Sequence, residues 1–136
     1  KEVKVQPSPH LSELLAAAQT SKTRAYAPYS HYSVGAAILG ADGHIYVGCN
    51  VENSSYGLTA CAERNALGAM VAAGCTEVAA LVVMTQDGGT PCGICRQALV
   101  EFAPDTVPVT CADASGNLQT YSLGELIPHA FKLKHS

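Results

Sequence analysis

Seven consecutive apolar residues, Val78 to Met84, constrain this chain more than any other segment. A run of that length without a polar break fits a central strand covered on both faces, because a half-exposed strand would alternate. Helical patterns stand on either side of it. Ala60 to Ala73 is rich in Ala, Leu and Met and stops at Gly74, a residue suited to the position just past a helix end. Pro91 to about Phe102 reads as a second helix. Strand–helix–strand crossovers of this kind make the central strands parallel.

The flanking segments complete the pattern. Ser8-Pro9 predicts a helix N-cap followed by proline at the first helical position, with Leu11, Leu14, Leu15 and Ala18 at helical spacing. Tyr32 to Leu39 and His44 to Val51 read as the strands of a hairpin joined by Gly40-Ala41-Asp42-Gly43. Pro108 limits a strand over Val107 to Ala112 to a sheet edge, or to a start at that residue. Asp113 to Asn117 is a tight turn into Leu118 to Tyr121, and Ser122 with Glu125 forms a capping box for a last helix that Pro128 ends. The order αββαβαββα predicts an α/β fold of three layers: a mixed five-stranded sheet between helices, with its last two strands antiparallel. The turn at Asp113 to Asn117 leaves no room for a crossover helix.

Composition narrows the function. A chain of 136 residues is expected to form one domain, with residues 1–7 as a loose N-terminal segment. Apolar residues make up 48% and charged ones only 14%, so part of the apolar surface is expected to enter subunit contacts. Lys and Arg total 8 against 11 Asp and Glu, and the only basic cluster is Lys132 with Lys134. A nucleic-acid partner is therefore disfavoured. No run of about 18 apolar residues exists to span a bilayer. Charges at Lys1, Glu2 and Lys4 stand where a signal peptide needs its apolar core. The six cysteines are too few for a disulfide scaffold, and Cys49, Cys75 and Cys111 read as buried free thiols. A reducing, cytoplasmic setting is the expectation.

The other three cysteines carry chemistry. They lie in Cys61-Ala62-Glu63-Arg64 and Pro91-Cys92-Gly93-Ile94-Cys95-Arg96. Cys92 and Cys95 share a helix face, and Thr59 as an N-cap would put Cys61 in the first turn of the other helix. Helix N-termini favour thiolates. Three converging thiolates would hold a zinc ion and leave its fourth position open, which marks a catalytic rather than a structural site. Such a site is anionic, and Arg64 and Arg96 stand beside the ligands. At least one of them is expected to hydrogen-bond a ligand sulfur, although an arginine near a helix start is ordinarily a solvated surface residue. Glu63, two residues from a ligand, reads as a proton carrier with a raised pKa rather than a surface glutamate. A lone Cys-x-x-Cys would equally suit a redox motif or half a zinc ribbon. A thiol–disulfide oxidoreductase, however, would need neither Cys61 nor Glu63.

Taken together, the two motifs are the thiolate form of the zinc deaminase signature. The chain resembles the small, homotetrameric cytidine deaminases of pyrimidine salvage. The likeness runs from Ala25-Tyr26-Ala27-Pro28-Tyr29-Ser30 through Val34-Gly35-Ala36-Ala37 and Gly48-Cys49-Asn50-Val51-Glu52-Asn53. It continues through both cysteine motifs to Leu126-Ile127-Pro128 and Phe131. The resemblance implies a single catalytic domain over 1–136 that hydrolyses cytidine and 2′-deoxycytidine to the uridines and ammonia. It implies one Zn2+ per chain on Cys61, Cys92 and Cys95, with Glu63 as proton shuttle. It also implies a nucleoside substrate and a homotetramer with shared active sites.

Further residue roles follow from the resemblance alone. Asn50 and Glu52 would grip the ribose hydroxyls, Tyr32 would lie along the base, and Ala62 would join the substrate contacts. Thr90 would offer its backbone carbonyl to the departing amine, while Tyr56 and Phe131 would reach a neighbouring subunit's site. Each has a plainer reading: a polar strand end for Asn50 and Glu52, a core aromatic for Tyr32 and Phe131, an N-cap for Thr90. The loop from Ser54 to Ala60 is small and flexible where many relatives place bulkier residues or Pro, which leaves N4-modified cytidines open as substrates. A deaminase of cytosine nucleoside antibiotics shares both motifs, but Asn50-Val51-Glu52 favours a plain ribose. A polynucleotide editor is opposed by the charge balance and by the second hairpin. A nonenzymatic zinc-binding module would need a fourth ligand, and none of the five histidines has ligand spacing to the motifs.

Overall fold

In the computed structural model, which describes residues 5–133, the apolar run forms a strand with the bounds Val78–Met84 that its composition predicts. We label it β3. Before it come α1 (Leu11–Lys22), β1 (Gly35–Gly40), β2 (Ile45–Cys49), a 3-10 turn (Tyr56–Leu58) and α2 (Ala62–Ala72). After it come α3 (Gly93–Val100), β4 (Pro108–Ala112), β5 (Leu118–Ser122) and α4 (Leu123–Leu126). The five strands form one sheet in the order β2-β1-β3-β4-β5. β3 and β4 are parallel as expected, but β1 runs antiparallel to β3 within the sheet, and the two hairpins add the antiparallel pairs β1–β2 and β4–β5. This is the three-layer α/β arrangement with a mixed sheet, and β4 begins at Pro108 as the missing N–H requires.

Alternation along the strands divides the core into two. Ala37, Ala80, Val82, Met84 and Ala112 face α1, where they meet Leu14 and Ala18. Ala36, Ile38, Leu81, Val83, Val109 and Cys111 face the opposite way, against Ala62, Ala66, Leu67 and Met70 of α2 and Leu99 and Val100 of α3. Two glycines set how closely helices approach. A Cβ on Gly35 would lie 2.1 Å from the Ala18 carbonyl oxygen in α1, and one on Gly48 would lie 2.4 Å from that of Ala62 in α2. No side chain fits either place.

The helix starts differ from the sequence reading. α1 begins at Leu11 with His10 as N-cap, and Ser8 instead heads the turn before it, accepting the His10 N–H on its hydroxyl at 3.1 Å. Thr59 is not the cap of α2. Its N–H closes the 3-10 turn on the Tyr56 carbonyl, and Cys61 itself is the N-cap. Pro91 and Thr90 likewise precede α3, whose N-cap is Cys92. Only the last helix starts as read, with Ser122 and Glu125 in a reciprocal capping box. Of the N-terminal segment expected to be loose, residues 1–4 lie outside the described residues, and 5–7 carry no helix or strand.

Candidate active site

The carboxyl end of β3 and the N-termini of α2 and α3 meet at one place, where open α/β sheets generally bind their ligands. Two ligand sulfurs therefore sit on N-caps and the third in the first turn of α3. Cys61 Sγ lies 3.9 Å from Cys92 Sγ, and Cys92 Sγ lies 3.5 Å from Cys95 Sγ. All three sulfurs fall within 4.8 Å of one another. Tetrahedral zinc with Zn–S bonds of about 2.3 Å would separate its sulfurs by about 3.8 Å. The cluster fits zinc in donor type and in span, and soft thiolates select such a metal over magnesium or calcium.

Charge in the cluster is unevenly held. The Cys61 thiol is brought down to about 5, first by the hydrogen bond with Cys95 and then by Arg64 and Cys92. Cys95 is pushed up, by that same bond and by burial. Arg64 sends Nη2 towards Cys61 Sγ at 3.6 Å and towards the Thr59 carbonyl at 3.4 Å. Its Nε is buried with no hydrogen-bond partner among the described residues. A guanidinium with Nη2 this close to sulfur is a positive group on which three thiolates can draw. Arg96 makes no such contact in the geometry observed. Its guanidinium donates to the Pro91 carbonyl (2.6 Å), the Leu126 carbonyl (2.7 Å) and the Thr90 hydroxyl (2.7 Å). It ties the approach to α3 to the C-terminal segment.

Cys61 and Cys92 border a cavity of about 210 Å³. Ala62, Glu63, Tyr32, Val34 and Asn50 line it with them, as do Thr85, Gly89 and Thr90. Glu63 is only 5% exposed, and burial raises its pKa, with the charge of Cys61 adding to the effect.

One family covers most of the chain. Residues 9–111 match the cytidine and deoxycytidylate deaminase zinc-binding region. The chain belongs to the cytidine deaminase family. A cytidine deaminase of Sporosarcina psychrophila is 41% identical over 123 residues, covering 89% of this chain and 90% of the relative. The crystal structure of the cytidine deaminase from Burkholderia pseudomallei superposes with a TM-score of 0.84 at 44% identity, over 88% of this chain and 98% of that one. That from Mycobacterium tuberculosis gives 0.81 at 38% identity, over 93% and 100%. In the terms of this family, Cys61, Cys92 and Cys95 are the cluster of a zinc-binding region.

The remaining residues singled out from sequence divide between two places. Tyr32, Asn50, Ala62 and Thr90 line the cavity with the zinc cluster. Asn50 is pinned there, its Oδ1 accepting from Val34 N (2.9 Å) and its Nδ2 donating to the Tyr32 carbonyl (2.8 Å). Glu52 and Tyr56 instead line an adjoining cavity of about 280 Å³ with Tyr29, Ser30 and Asn53. Glu52 fastens the segment before β1 by accepting from Tyr29 N (2.9 Å), Ser30 N (3.2 Å) and the Ser30 hydroxyl, and the last of these chiefly lowers its pKa. Tyr56 is 77% exposed and packs edge-on against Tyr29. Phe131 is 67% exposed and lines neither cavity, while Gln97 Nε2 holds its carbonyl at 2.8 Å. Sequence reading missed Thr85, Asp87 and Ser30. The only signal for the first two is the Asp87-Gly88-Gly89 turn directly before Thr90-Pro91.

Proposed function

We propose that this chain is a zinc-dependent cytidine deaminase that converts cytidine and 2′-deoxycytidine to the uridines with release of ammonia. One observation carries the reading. Three sulfurs at zinc-thiolate separations stand beside a nucleoside-sized cavity that Cys61 and Cys92 line together with the buried carboxyl-bearing Glu63. Zinc, when bound there, supplies Lewis acidity and activates water at neutral pH.

The chain's own residues do the rest. Glu63 holds the proton taken from water and delivers it to the ring nitrogen of cytosine, then serves the departing amine; its raised pKa suits a group that both takes and gives a proton near neutrality. Arg64 offsets the thiolate charge through its contact with Cys61. The ring of Tyr32 lies along the base, beside Ala62, while the Thr90 carbonyl receives the leaving amine. Asn50 and Glu52 hold the ribose, a reading supported by their positions in the segment that directly follows β2. Exposed Tyr26, Tyr56, Leu58, Ile94 and Phe131 support a homotetramer in which Tyr56 and Phe131 complete a neighbour's site. The functional unit is one catalytic domain over 1–136 acting in the cytoplasm; no helix among the described residues is long and apolar enough to cross a membrane.

Incubation of the purified protein with cytidine tests this reading. The ultraviolet spectrum should shift to that of uridine while ammonia appears in equal amount. An unchanged spectrum from zinc-loaded protein would overturn it.

A further inference from the structure

Tyr32, which lines the cavity, is bonded to a turn that the roles described so far leave without a task. Residues 85–90 connect β3 to the approach of α3 and deliver Thr90, Pro91 and the ligand Cys92. The turn is organised by two side chains. Thr85 Oγ1 accepts the N–H groups of Gly88 (2.7 Å) and Gly89 (3.1 Å) and donates to Asp87 Oδ1 at 3.2 Å. The same carboxylate oxygen accepts Gly89 N at 3.2 Å and the Tyr32 hydroxyl at 2.7 Å.

The other end of Tyr32 is equally fixed. Its N–H donates to Ser30 Oγ at 3.0 Å, and its carbonyl accepts from Asn50 Nδ2 at 2.8 Å. Asn50 is 8% exposed and also binds Val34 N. The phenol oxygen packs so closely on the turn that a Cβ on Gly89 would lie 3.2 Å from it. Two stretches of chain that line the cavity are thereby joined through a single aromatic side chain.

We propose that the Tyr32 hydroxyl and the Asp87 carboxylate form a strut setting the distance between the ring of Tyr32 and the loop that carries Thr90 and Cys92, which makes Asp87 a positioning residue for nucleoside binding. A phenylalanine at position 32 would offer the same ring face with no tie to the loop. An asparagine at 87 would keep an acceptor oxygen for the hydroxyl. A bond of this kind, partly open to water, contributes modestly. The inference rests on the reading that the Tyr32 ring lies along the base.

The test is a double-variant cycle on zinc-loaded protein with cytidine as substrate, reading kcat, KM, zinc content and melting temperature for each variant. Tyr32→Phe and Asp87→Ala should each raise KM by about three- to tenfold with kcat little changed. Zinc content should stay that of the parent. The double variant should be no worse than either single one, because both remove the same bond. Asp87→Asn should recover most of the parent's KM. Losses that multiply in the double variant would overturn the strut, as would a Tyr32→Phe enzyme equal to the parent. Zinc loss in Asp87→Ala would overturn it too, by showing that Asp87 acts on the metal site and not on the ring. Tyr32→Ala separates the two readings. If it is no worse than Tyr32→Phe, the ring does not bear on the base, whereas the coupling of Tyr32 to Asp87 is still decided by the double variant.

Discussion

The two faces of the sheet are built alike and used differently. On one face α1 lies on a bed of small residues, Ala37, Ala80 and Ala112, with Leu14 and Ala18 as its own buried contribution. On the other face α2 and α3 bury a larger set, including Leu67, Met70, Leu99 and Val109. Each face uses a strand glycine to let a helix close in, Gly35 under α1 and Gly48 under α2. The difference lies in what the helix starts present. α1 opens with His10 and Glu13, which pair at 3.2 Å in solvent. α2 and α3 open on Cys61 and Cys92, with Glu63 buried in the first turn of α2. Packing alone does not make the site. It comes from two helix ends aimed at the same point above the end of β3, with chemistry-bearing residues placed on those ends.

The sharpest separation of chemistry from packing is Glu63→Gln. Loss of a general acid–base group costs roughly 10²- to 10⁴-fold per transfer, and in the role proposed for it Glu63 would serve more than one transfer, so kcat should fall by the upper figure or beyond with zinc retained. The same change should leave the melting temperature equal or higher at neutral pH. Burial holds the Glu63 carboxyl above its ordinary pKa, so the folded state is favoured below the ordinary carboxylate value and loses that advantage as pH rises through the raised pKa. Glutamine cannot ionise, so it escapes that loss, and the gap should close as the solution is made acidic. Activity near that of the parent would refute the assignment.

A smaller effect is expected at the C-terminal segment, which the proposed tetramer would bring to a neighbouring subunit's site. Removal of residues 129–136 takes away Phe131, whose carbonyl Gln97 holds at 2.8 Å. Loss of aromatic contact with a base should raise KM by about five- to 150-fold, while each chain still folds and binds zinc. A truncated protein that is monomeric and fully active would show that each chain completes its own site.

The two glycines give the mildest and most direct comparison of the faces. Gly35→Ala and Gly48→Ala each force a methyl group against helix backbone, and overpacking of this kind costs about 1–3 kcal/mol. Both should lower the melting temperature. Only Gly48→Ala displaces α2, so it alone should lower zinc occupancy and raise KM in the protein that remains folded. Equal zinc loss from both variants would mean that the faces are not functionally distinct.

Much of this arrangement was legible in the residues because it is local. Val78 to Met84 has the bounds of its apolar run, Ser122 and Glu125 form the capping box that their spacing implies, and the turn from Asp113 to Asn117 makes the last pair antiparallel. The convergence of Cys61, Cys92 and Cys95 was legible as well, since each motif stands at a helix start after a strand. Helix starts were misread by one or two residues because caps depend on where the preceding chain uses its N–H groups. Thr59 closes a 3-10 turn and so leaves Cys61 to cap α2. Contacts over long separations that no motif marks were not legible. Asp87 meets Tyr32 from 55 positions away, and Arg96 reaches the Leu126 carbonyl from 30 away. Nothing in the local sequence distinguishes that arginine from Arg64, which turns to sulfur instead.

Metal removal and return test the central claim most directly. Chelation should bring cytidine turnover to background without unfolding the sheet, and activity should return in proportion to added zinc until one ion is bound per chain. The same titration on a Cys92→Ala variant should restore nothing. Turnover that persists in zinc-free protein, or that returns without Cys92, would contradict an activity built on the three-thiolate cluster.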